Sequence, residues 1–397
     1  MDVSLFIARR LRYKGRVVTA AVAVSFLVVI IAVAVSAGFR HEIRTGISHM
    51  AGDVMLTEPG FNYLDEESSI RVDQPYLSDI RSLEGVEDIS PVIYRAGIVR
   101  HDEEIYGVMI KGVEGGVRQA TGAHVEDTLA LAVAIPSTMA EVAGLEVGDK
   151  LLTYFIAEKV KLRQFNVADI YEPMVRVDDR YLVYADISDM RRLNQWEDDQ
   201  ASVFEVMLSD DLNGREDLIR MESQIQDVID NDDSWDGDWL WATSSVKRYP
   251  QIFDWFGVID FNAIFVLVLM IAVAGVNMIT GLLIMLFENI STIGLLKSIG
   301  MRNWAIVRVF LVNAMGIVFR GMLIGNVIAF IFCFVQDKTH LITLDPVNYF
   351  VSYVPVHIDP VAILLADAVA FASIMILLLI PSLFVLRVDP SKTVKMD

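Results

Sequence analysis

Two ionisable side chains, Arg320 and Asp367, stand inside long apolar runs of this chain. At the centre of a bilayer each costs roughly 2.5–3.5 kcal/mol, so each must face protein, water or the other. A proton or ion relay is the chemistry such residues could perform, although snorkelling and helix–helix pairing are commoner uses. Elsewhere the residue types that catalyse are present without the spacing that catalysis needs. No Gly-Lys dipeptide occurs, so the phosphate-cradling G-x-x-x-x-G-K-[ST] loop is missing. His41 and Glu42 open "HEIRT", which lacks the second histidine of a zinc-protease helix, and there is no G-x-S-x-G elbow. The single Cys333 excludes an intrachain disulfide and a thiolate metal site. No catalytic residue, metal site or bound cofactor is expected.

The elements that would position any function are dominated by the membrane. Of 397 residues 54% are hydrophobic and 21% charged, too apolar for an ordinary soluble domain and too charged for a chain wholly in lipid. Runs at 17–39, 261–287, 307–335 and 361–386 can each cross a bilayer, because about 20 apolar helical residues match a hydrocarbon core of roughly 30 Å. The first run is too long for a cleaved signal peptide and reads as a retained anchor. Lys and Arg flank the spans at Arg9, Arg10, Arg12, Lys14 and Arg16, at Lys297, Arg302 and Arg308, and at Arg387, Lys392 and Lys395. By the positive-inside rule these three segments, and both termini, are expected to be cytoplasmic. Residues 40–254 then lie outside. They carry 20 Lys and Arg against 43 Asp and Glu, which argues against nucleic acid or an anionic membrane surface as their partner.

Residues 52–240 alternate between short strand patterns, at 151–155, 165–171, 181–185 and 203–208, and helical ones at 187–193 and 215–229. A hairpin is expected around His101–Glu104. The fold class expected is therefore an α-helical membrane protein with four transmembrane helices and an inserted extracytoplasmic α+β domain. Its parts are an amphipathic N-terminal helix (1–16), the first span with its outer extension (17–51), the α+β domain (52–240), and a return stalk with the second span (241–287). A cytoplasmic helix (288–302), the third span (303–335), an outer loop (336–360), the fourth span (361–386) and a cytoplasmic tail (387–397) complete it.

The loop "ENISTIGLLKSIG", residues 288–300, is sticky where a hydrophilic turn would suffice. On a helical wheel Ile290, Ile293 and Met301 fall on one side and Leu295, Leu296 and Ile299 on the other, so the helix needs apolar contacts on two faces. Asn289 or Ser291 can cap its start, Gly300 can supply the left-handed residue that ends it, and Asn303 opens the next helix.

The run "GVNMITGLLIMLFENISTIGLLKSIGMRNWAIVRVFLVNAMGIVFRGMLIG" resembles the membrane core of FtsX-like (type VII, MacB-like) ABC transporter permeases. "FIARRLRYKGR", "YGVMIKGVE", "AGLEVGDKLLTYF", "VNYFVSYVPVHIDP" and "RVDPSKTVK" are similar to segments of the lipoprotein-releasing (Lol-type) permeases of that family. The resemblance implies that Glu288, Ile290, Ile293, Gly294, Leu295, Leu296, Lys297, Gly300 and Met301 couple to a cytoplasmic ABC ATPase dimer, which binds ATP and Mg²⁺. It implies a bacterial inner-membrane location, a second permease copy or related permease, and an acylated lipoprotein extracted from the outer leaflet for a periplasmic carrier. The substrate chamber it suggests is lined by Phe39, Ile43, Phe256, Ile259, Phe265, Tyr349, Phe350 and Tyr353. Where some relatives carry a long carrier-hooking loop, this chain has only "AEKVKLRQ" between two strands, which suggests the non-hooking partner type or a differently organised system. Alternatives of the same architecture are an efflux permease for peptides or drugs and a mechanotransmitter that regulates a cell-wall hydrolase.

Overall fold

A computed structural model describes residues 15–64, 68–101, 104–122, 130–156, 160–175, 181–212, 214–232 and 237–382. The expected amphipathic helix at 1–16, apart from its last two residues, and the tail at 387–397 lie outside the described residues. Contacts divide the chain into a membrane unit (residues to Arg40, Trp255–Leu344 and from Tyr353) and a sheet unit (His41–Asp254 and Asp345–Ser352). The helices of nine or more described residues are α1 (Arg16–Ala51), α2 (Arg215–Asp230), α3 (Pro250–Glu288), α4 (Ile290–Ser298), α5 (Asn303–Thr339) and α6 (Pro360–Leu377).

Among the described residues four helical segments are long and apolar enough to cross a membrane: α1, α3, α5, and α6 with the turn that follows it to Ser382. The 36, 39 and 37 residues of α1, α3 and α5 make each about 55 Å long at 1.5 Å per residue, well beyond a bilayer core. Within the membrane unit Val22 and Phe26 of α1, Met278 and Leu282 of α3, Phe310 and Val318 of α5 and Ile374 of α6 form one buried cluster. Lipid is as apolar as leucine, so close packing rather than the hydrophobic effect must hold these helices together. Glycine provides it. A Cβ at Gly325 of α5 would lie 2.5 Å from the Ala23 carbonyl oxygen and 3.0 Å from Leu27 N of α1, and one at Gly321 would lie 2.6 Å from Val22 Cγ1. The Gly-x-x-x-Gly spacing thus brings the two backbones together. Asp367 does not meet Arg320. Its Oδ2 accepts from Asn326 Nδ2 at 2.5 Å, tying α6 to α5, while Arg320 is exposed.

Among the described residues the sheet unit has eleven strands: β1 (Val54–Thr57), β2 (Ile70–Arg71), β3 (Val86–His101), β4 (Glu104–Val113), β5 (Ala132–Pro136), β6 (Lys150–Phe155), β7 (Lys161–Tyr171), β8 (Tyr181–Asp186), β9 (Gln200–Ala201), β10 (Val203–Leu208) and β11 (Trp241–Ser244). Nine form one sheet in the order β11-β1-β10-β3-β4-β8-β5-β7-β6, and β3 also pairs with β6. The strands from β3 to β6 therefore close into a six-membered ring, and β11, β1 and β10 extend from β3 as an open flank. The sixteen residues of β3 serve both parts, with 86–92 against β10 and 93–101 against β4. The hairpin turns where the sequence placed it, with His101 opposite Glu104. Residues 241–244, counted with the return stalk from sequence, are instead the edge strand β11.

Closing the ring removes one sheet edge, and α2 protects the other. Its Leu218, Met221, Ile225 and Ile229 are buried, the three-to-four spacing of a single helical face. Its Gln226 and Glu222 accept from the outward Ala242 and Ser244 N–H groups of β11 at 2.8 and 3.1 Å, which occupies the donors a foreign strand would use.

Asp53, just after α1, is buried and accepts from Ser48 Oγ and Leu208 N, each at 2.9 Å. Burial raises its carboxyl above the ordinary carboxylate range, outweighing the opposing effect of Arg44. The folded chain consequently binds more protons than the unfolded chain between the ordinary and the raised value, so this group's contribution falls as pH rises through that window. Thermal unfolding should show the wild type losing stability relative to Asp53→Asn as pH is raised from 4 to 7. Parallel curves would mean that the group is not shifted.

Candidate functional site

The connection between α3 and α5 is built from local signals. Asn289 leaves helical geometry at φ −112° and ψ 22°, so α3 stops at Glu288 and α4 starts one residue later. The expected side-chain cap does not form: Asn289 Nδ2 turns back to donate to the Met285 carbonyl at 2.8 Å. At the other end Gly300 is left-handed, with φ +92°. Its N–H reaches the Lys297 carbonyl and Met301 N–H reaches that of Leu296, both at 3.0 Å. These two bonds are the paired closure of a Schellman cap, which glycine makes without a Cβ penalty.

The cap decides which face is free. Met301 and Leu296, joined across it, pack on the buried cluster with Ile293, and Gly294 is buried beside them. Leu296 therefore shares the inner face with Ile293 and Met301, and not the side of Leu295 and Ile299 on which the wheel puts it; the Schellman contact between the residues at its two ends pulls it inward. Ile290 and Lys297 are half-buried and Glu288 and Gly300 exposed. Leu295 is 56% exposed and Ile299 75%, and Trp304 at the start of α5 is 66% exposed. Leu295 and Ile299 are four residues apart and share a face. Trp304 was not singled out from sequence, although a tryptophan one residue inside a span after a glycine-ended helix is a readable signal.

The expected chamber residues are divided between the two units. In the membrane unit Phe39 and Phe256 are buried, with Phe39 edge-on to Trp255 at 5.5 Å between ring centroids. Ile259 is half-buried and Phe265 is 59% exposed. Ile43, Tyr349 and Phe350 belong to the sheet unit, where Ile43 is fully buried, Tyr349 exposed, and Phe350 half-buried in a left-handed conformation at φ +64°. Phe39, Ile43 and Phe256 are enclosed by the chain's own packing in this structure.

Tyr353 sits in a built structure. Its ring stacks on His340 at 3.8 Å and it bridges to Thr343. Gln336, buried near the C-terminal end of α5, donates to the Val354 and Ile342 carbonyls at 3.0 and 3.3 Å and accepts from Ile342 N at 3.1 Å. The segment then crosses α1 at close range, with His357 N bonded to the Ala34 carbonyl at 3.1 Å. A Cβ at Gly38 would stand 2.4 Å from the Pro355 carbonyl oxygen. Nearby, Asp260 of α3 accepts from Ser36 Oγ at 2.9 Å and lies 3.5 Å from Arg40 Nε. Gln336 and Gly38 escaped the sequence reading, because a lone polar residue closing an apolar run looks like any span end.

Residues 264–390 match the family model described as FtsX-like permease C-terminal. The chain is 21% identical over 408 residues to the lipoprotein-releasing system transmembrane protein LolC of Neisseria meningitidis serogroup B, an alignment covering 95% of this chain and 93% of the relative. Among solved structures, the periplasmic region of MacB from Actinobacillus actinomycetemcomitans is 13% identical, covers 52% of this chain and 95% of its own, and has a TM-score of 0.31. The extracellular domain of the noncanonic ABC-type transporter YknZ from Gram-positive bacteria is 11% identical, covers 49% of this chain and all of its own, and has a TM-score of 0.30.

Proposed function

With residues 264–390 an FtsX-like permease domain, we propose that this chain is the permease subunit of an ATP-driven ABC complex in a bacterial inner membrane. The complex extracts lipoproteins from the outer leaflet and passes them to a periplasmic carrier. The observation that carries the transport reading is α4: Ile293, Leu296 and Met301 lock it to the chain's own spans while Leu295 and Ile299, with Trp304 beyond the cap, face outward. A cytoplasmic ABC ATPase that closes on ATP and Mg²⁺ can grip the outward face and move the spans through the inward one. Lys297, Arg302 and Arg308 beside it support a cytoplasmic position for this end by the positive-inside rule, and with it an outer position for the acidic sheet unit. A second copy of this chain or a related permease completes the complex.

The lipoprotein cargo rests on the end-to-end likeness to LolC and on the ordered outer segment around Tyr353. Burial of acyl chains is worth about 0.8 kcal/mol per methylene, so several chains hold a lipoprotein by tens of kcal/mol and extraction has to be driven. An exposed aromatic such as Phe265 and the Tyr353 segment offer apolar replacements for lipid. The test is to purify the chain with its co-expressed ATPase in nanodiscs and to ask by mass spectrometry whether acylated lipoprotein accompanies it and leaves on addition of ATP. Release supports the assignment. Bound ATPase without acylated cargo overturns the lipoprotein assignment in favour of peptide or drug efflux, and capture of a cell-wall hydrolase by the sheet unit would favour the signalling alternative.

A further inference from the structure

A helix that ends inside a folded unit leaves its last four carbonyls without helical partners. In α1 these are met by two cations, one buried and one half-buried. Lys111 Nζ of β4 donates to the Met50 carbonyl at 2.9 Å and to that of His49 at 3.3 Å. Arg248 Nη2, from the turn after β11, donates to the Ala51 and Gly52 carbonyls, both at 2.6 Å. Four consecutive carbonyls are thus held by two positive charges at the negative end of the helix dipole.

Lys111 is itself anchored. It is 3% exposed and pairs with Glu205 of β10 at 2.8 Å. Glu205 in turn accepts from the Tyr94 hydroxyl of β3, which lies 3.1 Å from the Met50 carbonyl. The helix end is therefore tied to three adjacent strands, β10, β3 and β4. The chain leaving it is tied as well, with Asp53 N on the Val206 carbonyl at 3.0 Å and Ser245 N on the Asp53 carbonyl at 2.7 Å. On one side His49, Met50, Lys111 and Glu205 border a cavity of about 1140 Å³, so packing does not enclose the helix end there. A buried ion pair is weak evidence of added stability, since apolar residues of similar volume often serve as well or better. Directional donors do what apolar residues cannot: they resist displacement along the helix axis.

We propose that Lys111 and Arg248 are positioning residues that fasten the end of α1 to the sheet, so that movement of α1 is carried into β10, β3 and β4. The proposal rests on the permease reading for the source of that movement. It is tested on the complete complex with its ATPase in nanodiscs, using a fluorescent triacylated lipoprotein as cargo and hydrogen exchange as a second readout. The variants are Arg248→Met and the pair Lys111→Met with Glu205→Gln, which removes the cation without stranding a buried carboxylate; Lys111→Arg is the rescue.

Wild type is expected to change exchange in residues 41–51 and in β10, β3 and β4 when ATP is added. Both variants should keep ATP turnover within about twofold and the change in residues 41–51, lose the change in the strands, and lower cargo release at least tenfold, with Lys111→Arg recovering most of it. Unchanged strand response, or turnover and release falling in parallel, overturns the proposal. If wild type shows the strand response but releases no lipoprotein, the cargo assignment fails while loss of that response in the variants still supports the fastening.

Discussion

Gly325→Leu is expected to separate α1 from α5 and to lower the thermal unfolding midpoint of the detergent-solubilised chain by roughly 10 °C. The first atom of any side chain at this position would stand 2.5 Å from the Ala23 carbonyl oxygen and 3.0 Å from Leu27 N, both backbone atoms of a long helix that cannot rotate aside. Overpacking a core costs typically 1–3 kcal/mol, and a backbone clash belongs at or beyond the upper end. For a unit of this size about 1 kcal/mol moves the midpoint by roughly 2–4 °C. Gly316 on the same helix has nothing within 4 Å of a built Cβ, so Gly316→Leu should leave the midpoint nearly unchanged. Equal behaviour of the two variants would show that the close approach does not hold the helices.

The double variant Leu295→Asp with Ile299→Asp should abolish ATPase docking while leaving the fold intact. Both side chains are more than half exposed in the chain alone, so their replacement removes little internal packing. Burying a leucine or isoleucine is worth about 1.5–3 kcal/mol, and two carboxylates forced into an apolar groove add a desolvation penalty. A loss of at least 3 kcal/mol is about a hundredfold in affinity. Co-purification of the ATPase from detergent, with circular dichroism as a check on folding, measures it. Retained ATPase would mean that the partner grips another surface. Ile293→Asp, directed into the buried cluster, should instead fail to give a folded chain.

Much of the architecture was legible because its signals are local. A bilayer sets the length of an apolar run, so four runs declare themselves without any contact being known. Strands at 151–155, 165–171, 181–185 and 203–208 alternate within a few residues of the observed β6, β7, β8 and β10, and Gly300 announces a left-handed stop. Leu296 shows where such reading ends. The wheel puts it on the side of Leu295 and Ile299, and the bond from Met301 N across the cap draws it inward.

What the sequence by itself determined about this protein is the number and position of its membrane runs, the acidic character of its inserted domain, and a sticky, glycine-ended helix between two spans. The tertiary structure alone decided that β3 meets β6 to close a ring, and that Asp367 answers to Asn326 and not to Arg320. It also decided that the carbonyls ending α1 belong to Lys111 and Arg248. The physical reason is range. Periodicity and capping are properties of neighbours a few residues apart, whereas Lys111 and Glu205 are 94 residues apart, and Arg248 and Ala51 are 197 apart. A buried charge is tolerable only where such a distant partner arrives, and nothing in the local sequence of either residue states who that partner is.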